Sequence, residues 1–186
     1  TDLYVASDFD APDLLYINNG DGTFSEELKK QIPHISYYSM GVDIADINND
    51  GNMDIMTLDM VAEDNYRLKA NMGGMYPEAF WKVVENNGHY QYMFNAVHLN
   101  NGNNSFSEVG QLTGLSSTDW SWANLIADFD NDGLKDVYVT NGLLRDIRNS
   151  DAAKTFPKYV NKKIDEYIKG HPNEGNVSIF DIIDVK

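Results

Sequence analysis

No cysteine occurs in the 186-residue chain, which removes disulfides, thiolate metal sites and a cysteine nucleophile together. Basic residues are scarce: 14 Lys and Arg stand against 29 Asp and Glu, a formal charge of −15. Nucleic acid and anionic membrane surfaces need clustered positive charge, so neither fits as a partner, and the balance favours cations as ligands. No run approaches the roughly 20 apolar residues that cross a bilayer, so no membrane span is expected. Nucleophile elbow, HExxH and phosphate-binding glycine loop are all missing, and no catalytic residue is assigned. The chain does not begin with Met, and Thr1-Asp2-Leu3-Tyr4-Val5 reads as a loop end running into a strand. A segment of a longer protein is therefore expected.

A hydrophobic fraction of 42% and an aromatic fraction of 12% suit a globular core rather than disorder. Internal repetition decides the fold. LLYINNGDGTFSEE (14–27) recurs as AVHLNNGNNSFSEV (96–109), and DINNDGNMD (46–54) recurs as DFDNDGLKD (128–136), each 82 residues on. Asp54 opens IMTL and Asp136 opens VYVT, while Asp2 before LYVA reads as the closing residue of an earlier loop. Asp2 to Asn19 is 17 residues but Asp54 to Asn101 is 47, so the second unit carries a 30-residue insertion, roughly 60–92. Without it the period is about 52 residues, which suits a four-stranded antiparallel unit. Segments 3–6, 14–18, 54–58, 96–100, 123–127 and 136–140 are short, β-rich and bounded by turn or acidic residues. Asn19-Gly20 and Asn101-Gly102 are hairpin-turn dipeptides, because both residue types tolerate positive φ.

The expected fold is all-β: a partial β-propeller of about three four-stranded antiparallel blades over residues 1–142, the first incomplete, with a helical insertion and a helical C-terminal segment over 143–186. In the insertion, Asp64 caps NYRLKANM, and Pro77 takes a first-turn position before EAFWKVVE, which Asn87-Gly88 ends. In the C-terminal segment, Asn149 or Ser150 caps a helix to about Lys169, and Pro157 implies a kink or a later start.

The two acidic loops carry oxygens at positions 1, 3, 5 and 9: Asp46, Asn48, Asp50 and Asp54, then Asp128, Asp130, Asp132 and Asp136. Alternate side chains of a curled loop converge on one point, and Gly51 and Gly133 at position 6 permit the sharp turn. Asn52 and Leu134, at position 7, would lend only a backbone carbonyl. Oxygen-rich cages of this kind suit Ca²⁺, whereas Mg²⁺ avoids multi-carboxylate cages, so two Ca²⁺ sites are expected. An EF-hand needs a bidentate Glu at position 12, where Thr57 and Val139 stand inside strands.

These loops, the DLYV-type strands after them and the NNGDGTF hairpin resemble the FG-GAP/VCBS repeat family of β-propellers, whose calcium loops are familiar from integrin α-subunits. EDNYR (63–67), HYQYM (89–93) and DWSWA (119–123) are similar to a bacterial cell-surface branch of that family. The resemblance covers residues 1–142. It implies an exported protein at the extracellular or outer-membrane surface, and a chain that is a fragment of a larger ring. Asn48 departs from the more usual Asp at position 3, which implies a weaker first site.

The implied function is a calcium-stabilised binding or scaffolding module for a glycan or protein partner, an outer-membrane nutrient-uptake complex among the candidates. The alternative is a polysaccharide lyase or hydrolase on a calcium propeller, with His89 or Tyr90 as base. Trp81, His89, Tyr90 and Tyr92 in the insertion are the candidate partner-binding residues, since long insertions present themselves on one exposed face. Asp8, Asp10 and Asp13 read as a solvated turn. Tyr38, Met40, Trp120 and Trp122 read as packing between blades, and His98 as a satisfied structural histidine.

Overall fold

A computed structural model describes residues 1–8, 11–71, 75–142 and 150–171. Strands β1 (Leu3–Val5), β2 (Leu14–Asn18) and β3 (Phe24–Glu26) form a first antiparallel sheet in chain order. A single turn α1 (Leu28–Gln31) and strand β4 (Ile35–Ser36) lead to β5 (Gly41–Ala45) and β6 (Asp54–Leu58). The insertion then contributes β7 (Met60–Val61), α2 (Asn65–Asn71), α3 (Pro77–Glu85) and β8 (Gln91–Tyr92). Strands β9 (Ala96–Asn100) and β10 (Phe106–Glu108) complete a second sheet ordered β10-β9-β6-β5. After the turn α4 (Gly110–Thr113), β11 (Asp119–Ala127) and β12 (Asp136–Asn141) join β7 in a third sheet, and α5 (Ser150–Gly170) ends the described chain. The architecture is mostly β, with several antiparallel sheets and five helices among the described residues.

The second sheet lies between the other two. Every residue of β6 is buried, which explains why Asp-Ile-Met-Thr-Leu does not alternate as a half-exposed strand would. Adjacent strand residues point to opposite faces. Ile55 accordingly packs with Tyr4, Leu15, Leu28, Ile32 and Ile35 toward the first sheet. Met56 packs with Leu58, Val97 and Ile126 toward the third. Gly41 is required where β5 meets β11, because a Cβ there would lie 2.7 Å from the Trp122 carbonyl oxygen.

The hairpins after β2 and β9 are wider than the two-residue turns expected from Asn-Gly. The Asn19 amide donates to the Thr23 carbonyl and the Asn101 amide to the Ser105 carbonyl, both at 3.0 Å. Each hairpin ends in a glutamate that folds back on the backbone. Glu26 accepts the Leu28 amide at 2.9 Å. Glu108 accepts those of Val97 at 3.2 Å and Gly110 at 2.6 Å. Burial raises the Glu108 pKa, but His34 and the two amides outweigh it and hold the carboxyl below its ordinary value.

The insertion is less detachable than its composition suggests. Asp64 caps α2 by accepting the Arg67 amide at 2.9 Å, and Pro77 opens α3, which buries none of its residues. The roots, however, belong to the core. Met60, Val61, Ala62, His89 and Gln91 are all buried. Strand β7 pairs with β11 through Met60 and Trp120, and β8 pairs with β4 in parallel. Only the stretch between these roots is peripheral. Helix α5 starts at Ser150 and runs through Pro157 rather than beginning after it; Asn149 lies outside the described residues.

Glu108→Ala strands two buried amides, each costing about 1–3 kcal/mol. The expected loss of unfolding free energy in urea is about 2–4 kcal/mol, with Glu108→Gln losing about 1 kcal/mol because it keeps an acceptor. A loss below 1 kcal/mol for the alanine variant would mean that the turn needs no buried acceptor.

Candidate functional site

The two acidic loops are built alike. In the first, the Asp50 amide donates to Asp46 Oδ1 at 3.0 Å and Asn48 Oδ1 at 3.1 Å, the Gly51 amide to Asp46 Oδ2 at 2.9 Å, and the Asn52 amide to Asp50 Oδ1 at 2.8 Å. In the second, Asp132 donates to Asp128 and Asp130 at 3.1 Å each, Gly133 to Asp128 at 2.9 Å, and Leu134 to Asp132 at 2.8 Å. Positions 4 and 6 are left-handed in both: Asn49 and Gly51 at φ 58° and 88°, Asn131 and Gly133 at 64° and 89°. Asn and Gly tolerate that region best, which is why they stand there. The Asn49 side chain donates to the Gly133 carbonyl at 2.9 Å, so the loops touch.

At position 9 the closing aspartates anchor the loops to the sheets. Asp54 is fully buried and accepts the Ile47 amide at 2.8 Å and the Asn100 amide at 2.8 Å. Asp136 accepts the Phe129 amide at 3.0 Å. Asp2 accepts the Asn18 amide at 2.9 Å, the counterpart of the Asp54–Asn100 bond.

One carboxylate oxygen from each of Asp128, Asp130 and Asp136 lies within 4.8 Å of the others. Such a trio of hard oxygens suits a divalent cation. Asp132 lies outside the trio. Asp50, its counterpart, is held below its ordinary pKa by the Asn52 amide first and the Asn48 side chain second. In the first loop the amide of Asn48 takes the place of Asp130, leaving Asp46 and Asp54 as the carboxylates at the corresponding positions. The Leu134 side chain is exposed, leaving its main chain to serve the loop. Asn52 sits beside the Gly102 turn.

The four insertion residues divide. Trp81 and Tyr90 are 54% and 41% exposed, whereas His89 is only 6% exposed. Its Nδ1 accepts the Tyr90 amide at 2.8 Å, and burial lowers its pKa. Tyr92 stacks on Phe94 with ring centres 5.7 Å apart and leans on Phe80 at 5.3 Å. His89 therefore corrects the reading of a surface residue: β8 sits against β4 and carries His89 inward. Trp120 is buried, but Trp122 is exposed rather than packed between sheets. His98 is fully buried as a structural histidine would be, but it is not a satisfied one, since neither ring nitrogen meets a hydrogen-bond partner among the described residues; burial lowers its pKa to about 4, which keeps the ring neutral near pH 7.

A buried polar corner went unread in the sequence. Asp13 is not a solvated turn residue: it is buried and accepts Tyr4 Oη at 2.6 Å, the Ser7 amide at 2.8 Å and Ser39 Oγ at 2.9 Å. Asp8 is exposed, and Asp10 lies outside the described residues. Asn95, 82 residues after Asp13, accepts the Asp59 amide at 2.7 Å and donates to Leu115 O and Thr118 Oγ1. Asp59 itself accepts the amides of Tyr37, Tyr38 and Met60, and burial pushes its pKa up to about 7. The Asp13/Asn95 offset was the available signal.

A family model described as FG-GAP-like repeat matches residues 1–57 and 83–139. The two matches are offset by the same 82 residues as the loops, and the stretch between them, 58–82, covers the end of β6 and most of the insertion. No curated protein and no solved structure matches the chain.

Proposed function

Since the chain belongs to the FG-GAP-like repeat family, we propose that its three larger sheets are successive blades of a β-propeller, that its two acidic loops each hold Ca²⁺, and that it serves as a binding or scaffolding module at a cell surface. The observation that carries the calcium reading is the matching hydrogen-bond pattern of the loops, with the converging oxygens of Asp128, Asp130 and Asp136. Bound there, Ca²⁺ would neutralise a carboxylate cluster; Asp46, Asn48 and Asp54 would hold the first ion, with Asp50 and Asp132 oriented by the next amide but one. No helix among the described residues is long and apolar enough to cross a membrane.

The partner reading rests on the insertion. Trp81, Tyr90 and Tyr76 are exposed on or beside α3, and exposed aromatics stack on sugar rings and anchor protein interfaces alike. The lyase alternative loses one candidate base, because His89 is buried. We infer a glycan or protein partner in an exported bacterial protein or complex.

Calcium titration followed by calorimetry and thermal melting tests the first part. Two binding events are expected, the second loop tighter. Stabilisation should approach about 2.7 kcal/mol per site at a hundred times Kd. Asp130→Ala should remove the tighter event, and Asn48→Asp should tighten the weaker one about tenfold, or roughly 1.4 kcal/mol. A melting temperature equal in calcium and in excess chelator would contradict the reading.

For the partner, immobilised chain is probed with a glycan panel and with solubilised outer-membrane proteins. A saturable hit should weaken at least tenfold, about 1.4 kcal/mol, in the Trp81→Ala, Tyr90→Ala double variant. A partner indifferent to both substitutions would remove the insertion from the binding surface.

A further inference from the structure

Three histidines meet where the β4–β8 pair lies against the second sheet. His34 precedes β4, His89 precedes β8 and His98 lies within β9. The rings of His34 and His98 stand edge-on with centres 6.4 Å apart, and His34 packs likewise on Tyr92 and Phe94 at 5.3 and 5.5 Å. The cluster is short of acceptors. Neither ring nitrogen of the buried His98 meets a partner. His34 Nε2 faces Glu108 Oε2 at 3.6 Å, beyond hydrogen-bond reach. The other oxygen of that carboxylate is already held by the Val97 and Gly110 amides. His89 accepts the Tyr90 amide through Nδ1, which only an unprotonated Nδ1 can do.

The charges around the rings come from Glu108 at the end of β10, Glu26 at the end of β3 and Lys29 in α1. Tyr90 and Tyr92 pack beside them. Lys29 is tied to the carbonyl and side chain of Asn87, at 2.9 and 2.7 Å. With every ring protonated, three imidazolium ions and an ammonium would face two carboxylates. The strands at this point hold each other by little. Strands β4 and β8 pair over two residues, with the Ile35 amide donating to the Tyr90 carbonyl and the Tyr37 amide to that of Tyr92, both at 3.0 Å.

We propose that His34, His89 and His98 form an acid-sensitive clasp, which closes β8 on β4 when neutral and, when protonated, parts the two strands and frees the insertion root beside Trp81 and Tyr90. Burial lowers the pKa of His89 and takes that of His98 to about 4, against roughly 6.5 for a solvated ring. The open state therefore binds more protons. The closed state is at full strength above about pH 6.5 and weakens as the pH falls toward 4. Glu108, held below its ordinary value, adds to this only at lower pH. Parting β4 from β8 hydrates His98 without breaking its own ladder, because β9 pairs with β6 and β10. The clasp acts on the insertion whatever binds there, so its failure leaves the proposed function standing.

Amide exchange and histidine ring resonances of the full chain, followed by NMR from pH 7 to pH 5 in saturating calcium, test the clasp. Protection factors at Ile35 and Tyr90 should fall at least tenfold, as the uptake of one proton over that range requires, while amides of the central strand β6 keep theirs. Tyr37 is left aside because its amide also meets Asp59. The His98 ring should titrate together with that loss, well below pH 6.5. The His89→Gln, His98→Gln double variant, polar but without a titrating ring, should show less than a threefold fall. A tenfold fall that persists in the double variant overturns the clasp. So does a native His98 ring that titrates near pH 6.5 while Ile35 and Tyr90 stay protected. Equal loss of protection in β6 overturns it by making the transition global, and stoichiometric Zn²⁺ binding that shifts all three rings at pH 7 does so by making their nitrogens metal ligands.

Discussion

Asp54 accepts one amide from the acidic loop that precedes it and one from the strand that follows the insertion. A fully buried carboxylate is costly unless hydrogen-bonded, and here two backbone donors meet that requirement. The consequence is geometric. The Ile47 bond closes the first loop as the Phe129–Asp136 bond closes the second, where the carboxylates at positions 1, 3 and 9 converge. The Asn100 bond fixes the first loop against β9 and the hairpin beyond it. Loop, inner strand and hairpin thus share one anchor, and Asp2 makes the same bond to Asn18 in the first unit.

Other repeat positions obey the same logic. Glu26 and Glu108 turn back to satisfy amides at hairpin ends, while Asp13 and Asn95 satisfy polar groups at the opposite corners. In each case a short polar side chain serves backbone groups that a stack of small sheets cannot pair within its ladders. Apolar contacts between sheets then need only alternate, with Ile55 to one side and Met56 to the other. The helical insertion interrupts none of this, because its two roots are pinned in the sheets and its helices stand outside.

Much of this was legible because the two units keep one offset. The loops, the β-rich segments and the paired glutamates repeat at 82 residues, so spacing alone placed them in corresponding positions. The short strands β3, β5 and β10 were harder, since three to five residues carry little periodicity. Asp13 was misread because its partners are a hydroxyl, an amide and a tyrosine distant in sequence, and because its repeat equivalent is Asn rather than Asp. His89 was misread for a related reason. A pattern search sees an aromatic insertion, but not that parallel pairing of β8 with β4 turns one residue of it inward. The converging trio was legible in its members, though which three of the four acidic positions converge depends on the curl itself.

The central claim is that the closing aspartate, rather than the ion, shapes the loop. Amide hydrogen exchange at Ile47 and Asn100 in chelator and in calcium, for the native chain and for Asp54→Ala, tests it most directly. The account predicts that both amides are already protected in chelator, and that the substitution speeds exchange at both together by tenfold or more, equivalent to about 1.4 kcal/mol. Protection that arises only in calcium, or that survives the loss of Asp54, would contradict it.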